Sequence, residues 1–139
     1  MLNDNLFTNK MFEIKNMWNS NNKDTSVFKK SFTFEERISE SSRVMNKYPD
    51  KVPIICEKGV GKDIPDIDKK KYLISKELTI GNFIPVVRKR IKLKDYEALF
   101  LMINGSIPPT SANFAELHHK YKDPDGYLYI IYSKENVFG

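Results

Sequence analysis

One cysteine in 139 residues leaves no internal disulfide to form. Cys56 sits in the apolar run Val52-Pro53-Ile54-Ile55-Cys56, where it reads as a small core residue rather than a nucleophile. The reducing cytosol is the natural compartment for such a chain. Histidine is almost as scarce. His118 and His119 are adjacent, so on a helix they point about 100° apart and cannot chelate one metal together. No Cys or acidic residue stands near them at ligand spacing; they read as solvated helix residues, and neither metal nor cofactor is expected. Among only six glycines, Gly59-Val60-Gly61 does not follow a strand and open a helix as a nucleotide loop requires. Paired carboxylates and a serine-base arrangement are also lacking, so the sequence does not look like an enzyme. No apolar run approaches the ~18 residues that span a bilayer. The N-terminus lacks the basic region and apolar stretch of a secretory signal.

What remains suits one globular domain with a real core: 40% hydrophobic, 12% aromatic and 29% charged residues. A formal net charge of +5 and a pI of 9.2 favour acidic partners, whether nucleic acid, anionic lipid or acidic peptides. Charge by itself does not choose among them.

Residues 1–23 are rich in Asn and Lys. Phe7, Met11, Ile14 and Trp18 recur at helical spacing, which fits either an amphipathic helix or a frayed polar terminus. Thr33-Phe34-Glu35-Glu36 forms a capping box, predicting a helix over 34–47 that stops before Pro49. Val52–Glu57 reads as a strand, Gly59–Asp66 as a loop, and Lys69–Ile74 as a second strand whose lysines suit an exposed edge. Thr79 caps a helix with Ile80, Phe83, Ile84, Val87 and Ile91 on its apolar face; Pro85 within it predicts a kink or a short first turn. Ala98–Ile103 is a strand followed by the turn Asn104-Gly105. Thr110 is the expected cap of a further helix, with Phe114, Leu117 and Tyr121 inward. Asp125-Gly126 then turns into Tyr127–Tyr132, an apolar run expected to be a central strand buried on both faces. That order describes a β-grasp sheet.

Two basic stretches, Lys69-Lys70-Lys71 and Arg88-Lys89-Arg90, can be plain solvated surface or can meet phosphate. Tyr72 is the one base-stacking aromatic among them, so nucleic acid is not the expected partner. An exposed strand bordered by lysines can instead pair with an extended peptide, with flanking pockets reading its alternate side chains.

Lys47-Tyr48-Pro49-Asp50-Lys51-Val52-Pro53 and Asp66-Ile67-Asp68-Lys69-Lys70-Lys71-Tyr72-Leu73 closely resemble the autophagy ubiquitin-like modifiers, the GABARAP-like family. The likeness continues through Arg88-Lys89-Arg90-Ile91, Ile107-Pro108-Pro109-Thr110-Ser111-Ala112 and Asp125-Gly126-Tyr127-Leu128-Tyr129, and covers roughly residues 25–139. It implies an α+β fold: a ubiquitin-like β-grasp with a four-stranded mixed sheet and two additional N-terminal helices. The domains expected are an extension at 1–23, a ubiquitin-like domain at 24–132 and a conjugation tail at 133–139.

The resemblance also implies a covalent tag rather than a catalyst. Gly139 would be activated, passed through activating and conjugating enzymes, and joined to phosphatidylethanolamine; a processing and delipidating cysteine protease belongs to the same system. The chain would then be cytoplasmic, and held on autophagosomes or related vesicles once lipidated. Receptor and adaptor peptides of the form aromatic-x-x-aliphatic, preceded by acidic residues, would add to the second strand. By matching position, Glu40, Val44, Pro53, Ile55, Lys71, Leu73 and Tyr127 would form the aromatic pocket. Tyr72, Ile74, Leu78, Phe83 and Val86 would form the aliphatic one, and Lys69, Lys71, Lys51 and Arg90 would meet the acidic flank. Three departures from the family pattern stand out: Thr33 and Ser75 replace prolines, and Pro85 lies inside a helix that is usually uninterrupted. An unconjugated peptide- or tubulin-binding scaffold in membrane trafficking is the competing reading.

Overall fold

The computed structural model describes residues 26–59 and 64–134. The proposed N-terminal stripe, part of the Gly59–Asp66 loop and Gly139 lie outside them. Two helices, α1 (Val27–Ser31) and α2 (Phe34–Lys47), precede the strands β1 (Lys51–Lys58) and β2 (Lys71–Ser75). Helix α3 (Ile80–Ile91), strand β3 (Phe100–Met102), helix α4 (Phe114–Tyr121) and strand β4 (Leu128–Ser133) follow. The sheet order is β2-β1-β4-β3. β1 runs antiparallel to β2 and parallel to β4, and β3 is antiparallel to β4. The last strand is therefore central and β2 is an edge.

The start of α2 follows the sequence signal. Thr33 Oγ1 accepts from the Glu36 N–H at 3.1 Å, and the Glu36 carboxylate accepts from the Thr33 N–H at 2.8 Å. Thr79 and Asn82 exchange the same pair of bonds at the start of α3. That helix continues as one element through Pro85. The missing N–H removes one bond, and the surrounding apolar face, with Ile80, Phe83, Val87 and Ile91 buried, holds the helix regardless. The cap of α4 is Asn113 rather than Thr110: its side chain accepts from the Glu116 N–H at 2.9 Å. The Thr110 carbonyl instead accepts from Gly81 N–H at 2.9 Å, tying the Pro108–Thr110 turn to α3. β3 is shorter than its apolar run because pairing stops at Phe100 opposite Ser133. Asn104 and Gly105 both have positive φ, 50° and 80°, as a tight primed turn requires.

Sheet alternation divides the apolar side chains between two layers. Val52, Ile54, Cys56, Tyr72, Leu101, Leu128, Ile130 and Tyr132 meet α3 and α4 in the main core. Tyr129, Ile131 and Ser133 on the other face of β4 are only half-buried, so the expectation of two fully buried faces holds for one. The reason is coverage: that second face lies under the N-terminal helices, which shield it incompletely. Those helices are tied down by polar bonds. Buried Glu57 accepts from Ser26 Oγ at 2.6 Å and from the Phe28 N–H at 2.9 Å. Ser41 Oγ donates to the Asp125 carbonyl at 2.5 Å. His118, expected to be solvated, is buried, with Nε2 2.8 Å from the Gly126 carbonyl, while His119 is exposed.

Candidate peptide-binding site

β2 offers one backbone edge to solvent and one set of side chains to each layer. Lys71, Leu73 and Ser75 alternate with Tyr72 and Ile74. The register places Pro53 opposite Leu73 and Ile55 opposite Lys71. Pro53 lacks a donor, yet the parallel ladder to β4 begins only at Ile54, so it interrupts no bond there.

The expected aromatic pocket falls on the α2 face. Ile55, Pro53 and Tyr127 form a buried floor, Leu73 and Val44 are half-buried, and Glu40 and Lys71 stand at the rim. Lys71 Nζ lies 3.8 Å from Glu40 Oε1. Glu40 accepts more closely from Arg43 Nη2, at 2.8 Å. That bond holds the Glu40 carboxyl below its ordinary range; its slight burial opposes the shift and Lys71 adds to it. Beside the rim is a cavity of about 260 Å³ lined by Phe28, Phe32, Glu36, Arg37, Glu40 and Lys71. Sequence matching reached Glu40 and Lys71 but missed the other four. The Phe28–Phe32 spacing of four residues was the available signal; in the structure the two rings lie 5.1 Å apart.

The expected aliphatic pocket falls on the opposite face. Tyr72 and Phe83 are core residues, 6% and 2% exposed, with rings edge to face at 5.1 Å. Ile74 is half-buried beside them. Leu78 and Val86, 43% and 40% exposed, are the members of this group that reach water. Of the residues expected there, Tyr72 and Phe83 are thus buried, Ile74 is half-buried, and Leu78 and Val86 are exposed.

The basic residues do not form one cluster. Lys69 Nζ lies 4.9 Å from the Tyr72 ring centroid and the Arg90 guanidinium 5.9 Å from it. Arg90 also pairs with Asp68 at 3.3 Å. Lys51 stands at the far end of the strand pair, opposite Ser75, with its Nζ 5.8 Å from the Tyr48 ring. The hydroxyls of Tyr72 and Tyr127 are buried without a hydrogen-bond partner among the described residues. Burial pushes both phenols up, each to about 12. Cys56 is fully buried and its thiol is likewise pushed up to about 12, which leaves it inert near neutrality. No group of His, Cys, Asp and Glu able to hold a metal occurs among the described residues. No helix among them is long and apolar enough to cross a membrane.

Comparison with known proteins decides what this edge belongs to. The family profile described as "Autophagy protein Atg8 ubiquitin like" matches residues 36–139. The chain belongs to the Atg8 family. Autophagy-related protein 8 of Kluyveromyces lactis is 49% identical over 114 residues, covering 82% of this chain and 92% of that relative. Autophagy-related protein 8a of Arabidopsis thaliana is 52% identical over 114 residues, covering 82% and 93%. Among solved structures, Trypanosoma brucei ATG8 superposes with a TM-score of 0.76 at 45% identity, covering 84% of this chain and all of that one. Plasmodium falciparum Atg8 in complex with a Plasmodium falciparum Atg3 peptide gives 0.74 at 30% identity, covering 81% and 98%. The Atg8 fold is the ubiquitin-like β-grasp, here a four-stranded mixed sheet with α1 and α2 added at its N-terminal side.

Proposed function

We propose that this Atg8-family chain is a covalent membrane tag and not a catalyst. In this reading Gly139 is activated, transferred through conjugating enzymes and joined to phosphatidylethanolamine. The lipidated domain then gathers proteins at autophagic membranes by binding aromatic-x-x-aliphatic peptides along β2. The carrying observation is the β2 edge, which no other strand among the described residues covers, with a cavity beside its α2 face and Leu78 and Val86 exposed on the other. An extended peptide alternates its side chains in the same way, so main-chain bonds supply affinity while the apolar side chains on the two faces supply selection. Lys69, Lys71 and Arg90 give the edge a charge that suits acidic residues ahead of the aromatic one. The complex of the Plasmodium relative with an Atg3 peptide supports peptide capture as something this fold does.

The tail requirement is physical. A carboxylate that must enter other enzymes' active sites needs a narrow approach, and glycine brings no Cβ into it. A two-chain lipid on that carboxylate exceeds the marginal hold of one chain. The peptide half of the proposal is tested by titrating the isotopically labelled chain with an acidic aromatic-x-x-aliphatic peptide. Amide shifts centred on Lys71–Ser75, Leu78 and Val86 are expected. Saturable binding that leaves those amides unmoved would overturn the assignment of the edge.

A further inference from the structure

Tyr96 is 81% exposed, more than any other large apolar side chain among the described residues. It sits on the loop between α3 and β3, next to Asp95 and Glu97 and shortly after exposed Lys92 and Lys94, and Lys94 Nζ lies 5.9 Å from its ring centroid. The loop itself is fixed. Arg88 donates to the Lys94 and Glu97 carbonyls at 3.5 and 2.7 Å, and the Lys94 N–H donates to the Glu97 carboxylate at 3.0 Å. An aromatic ring held in water with a lysine ammonium beside it has the composition of a bilayer-interface anchor.

Its place in the fold adds to this. Glu97 pairs with Lys134, and Phe100 lies opposite Ser133, so the loop stands at the root of the C-terminal tail. Gly139 lies five positions beyond Lys134, a reach of about 17 Å when fully extended. A lipid on Gly139 therefore brings the bilayer surface within that distance of this corner. The Lys134 pairing offsets the Glu97 charge, which leaves Lys92 and Lys94 against Asp95.

We propose that the corner formed by Lys92, Lys94 and Tyr96 is a contact site for the headgroups of anionic phospholipids, and that it orients the tethered domain. This rests on the reading of Gly139 as the lipid attachment point. β2 lies at the other edge of the sheet, three strand spacings or about 14 Å away. Docking through the β3 side thus leaves the peptide edge turned from the bilayer.

The test bypasses enzymes. Full-length chain carrying Trp18→Phe, Tyr96→Trp and Gly139→Cys is coupled to a maleimide-headgroup lipid in vesicles containing phosphatidylserine; Cys56, fully buried, does not compete. Tryptophan emission should shift to the blue and be quenched by headgroup nitroxide lipids. Both signals should fall with Lys92→Glu and Lys94→Glu, each by roughly five-fold in apparent partition, and on vesicles of phosphatidylcholine alone. Emission unchanged from the untethered chain, or insensitive to both lysines and lipid charge, overturns the proposal. If enzymes fail to load Gly139 while the coupled chain still shows this contact, the tag reading falls and the surface stands.

Discussion

Arg37 Nη1 and Asp125 Oδ2 lie 2.6 Å apart with both side chains almost wholly withdrawn from water, joining α2 to the turn that enters β4. Asp125 also accepts from the Tyr129 hydroxyl at 2.5 Å and the Tyr127 N–H at 2.9 Å. Burial pushes the Asp125 carboxyl up, to about 6, with Asp123 adding to the shift and these three bonds opposing it. Removing one partner of such a pair leaves an uncompensated buried charge. Arg37→Ala should therefore cost about 3–5 kcal/mol of unfolding free energy in urea titration. A cost below about 1 kcal/mol would mean that the pair does not hold α2 to the sheet.

Gly126 tests the same joint through the backbone. Its φ is +92°, and a Cβ there would collide with Ser41 Oγ. Gly126→Ala should destabilise by about 2 kcal/mol or more, since strain and steric conflict act together. Thermal and urea denaturation check it against Gly105→Ala, where φ is +80° but the space is open; the loss at Gly105 should be the smaller.

His118 gives a pH dependence. Burial lowers its pKa, the Gly126 carbonyl opposes the shift, and the nearby charges of Lys122, Lys76 and His119 add to it. A histidine depressed in the folded state contributes stability above its unfolded value, about 6.5, and loses it as pH falls through the folded value. Asp125, raised in the folded state, has the opposite sign: its contribution is lost as pH rises through about 6. The two separate in His118→Gln. The stability difference between the original chain and this variant should move in the variant's favour below about pH 6.5. A pH-independent difference would contradict the buried neutral imidazole.

Within the candidate site, exposure separates usable probes from misleading ones. Leu78→Ala and Val86→Ala alter exposed side chains and should weaken peptide binding while changing stability by about 0.5 kcal/mol or less. Lys71→Glu should weaken an acidic-flanked peptide about ten-fold at low salt, and less as salt rises. Phe83→Ala should cost about 3–5 kcal/mol in folding and so reports on the core. Fluorescence polarisation beside urea denaturation distinguishes the two effects.

Tyr127→Phe is expected to stabilise the fold. Its buried hydroxyl has no partner among the described residues, and an unpaired buried polar group costs about 1–3 kcal/mol. A gain of about 1 kcal/mol in urea titration is predicted; a loss would reveal a bond to solvent or to another group.

Much of this architecture was legible in residue order. The capping box at Thr33, the cap at Thr79, the bounds of α2 and the central position of β4 all follow from local chemistry that the tertiary structure keeps. Long-range relations were not legible. Nothing near Arg37 in sequence points to Asp125, 88 positions away, and nothing near His118 signals that the Asp125-Gly126 turn folds back over it. Asn113 displaced Thr110 as a cap because Pro108-Pro109-Thr110 bends to serve α3 instead. The candidate site residues were proposed from likeness to a family, and the structure sorts them by access: Tyr72, Phe83, Ile55 and Tyr127 beneath, Leu78, Val86 and Lys71 at the surface. Tyr96 carried no periodic signal, since its meaning depends on Lys134 lying beside its loop.

The lipidation reaction bears most directly on the central claim. The chain is incubated with activating and conjugating enzymes of the Atg8 system, ATP and phosphatidylethanolamine vesicles, and membrane-bound product is separated by flotation. A lipidated, faster-migrating species that Gly139→Ala abolishes, with the variant's fold intact by circular dichroism, is the predicted result. No lipidated species from the original chain, under conditions that load an active relative, would contradict the account.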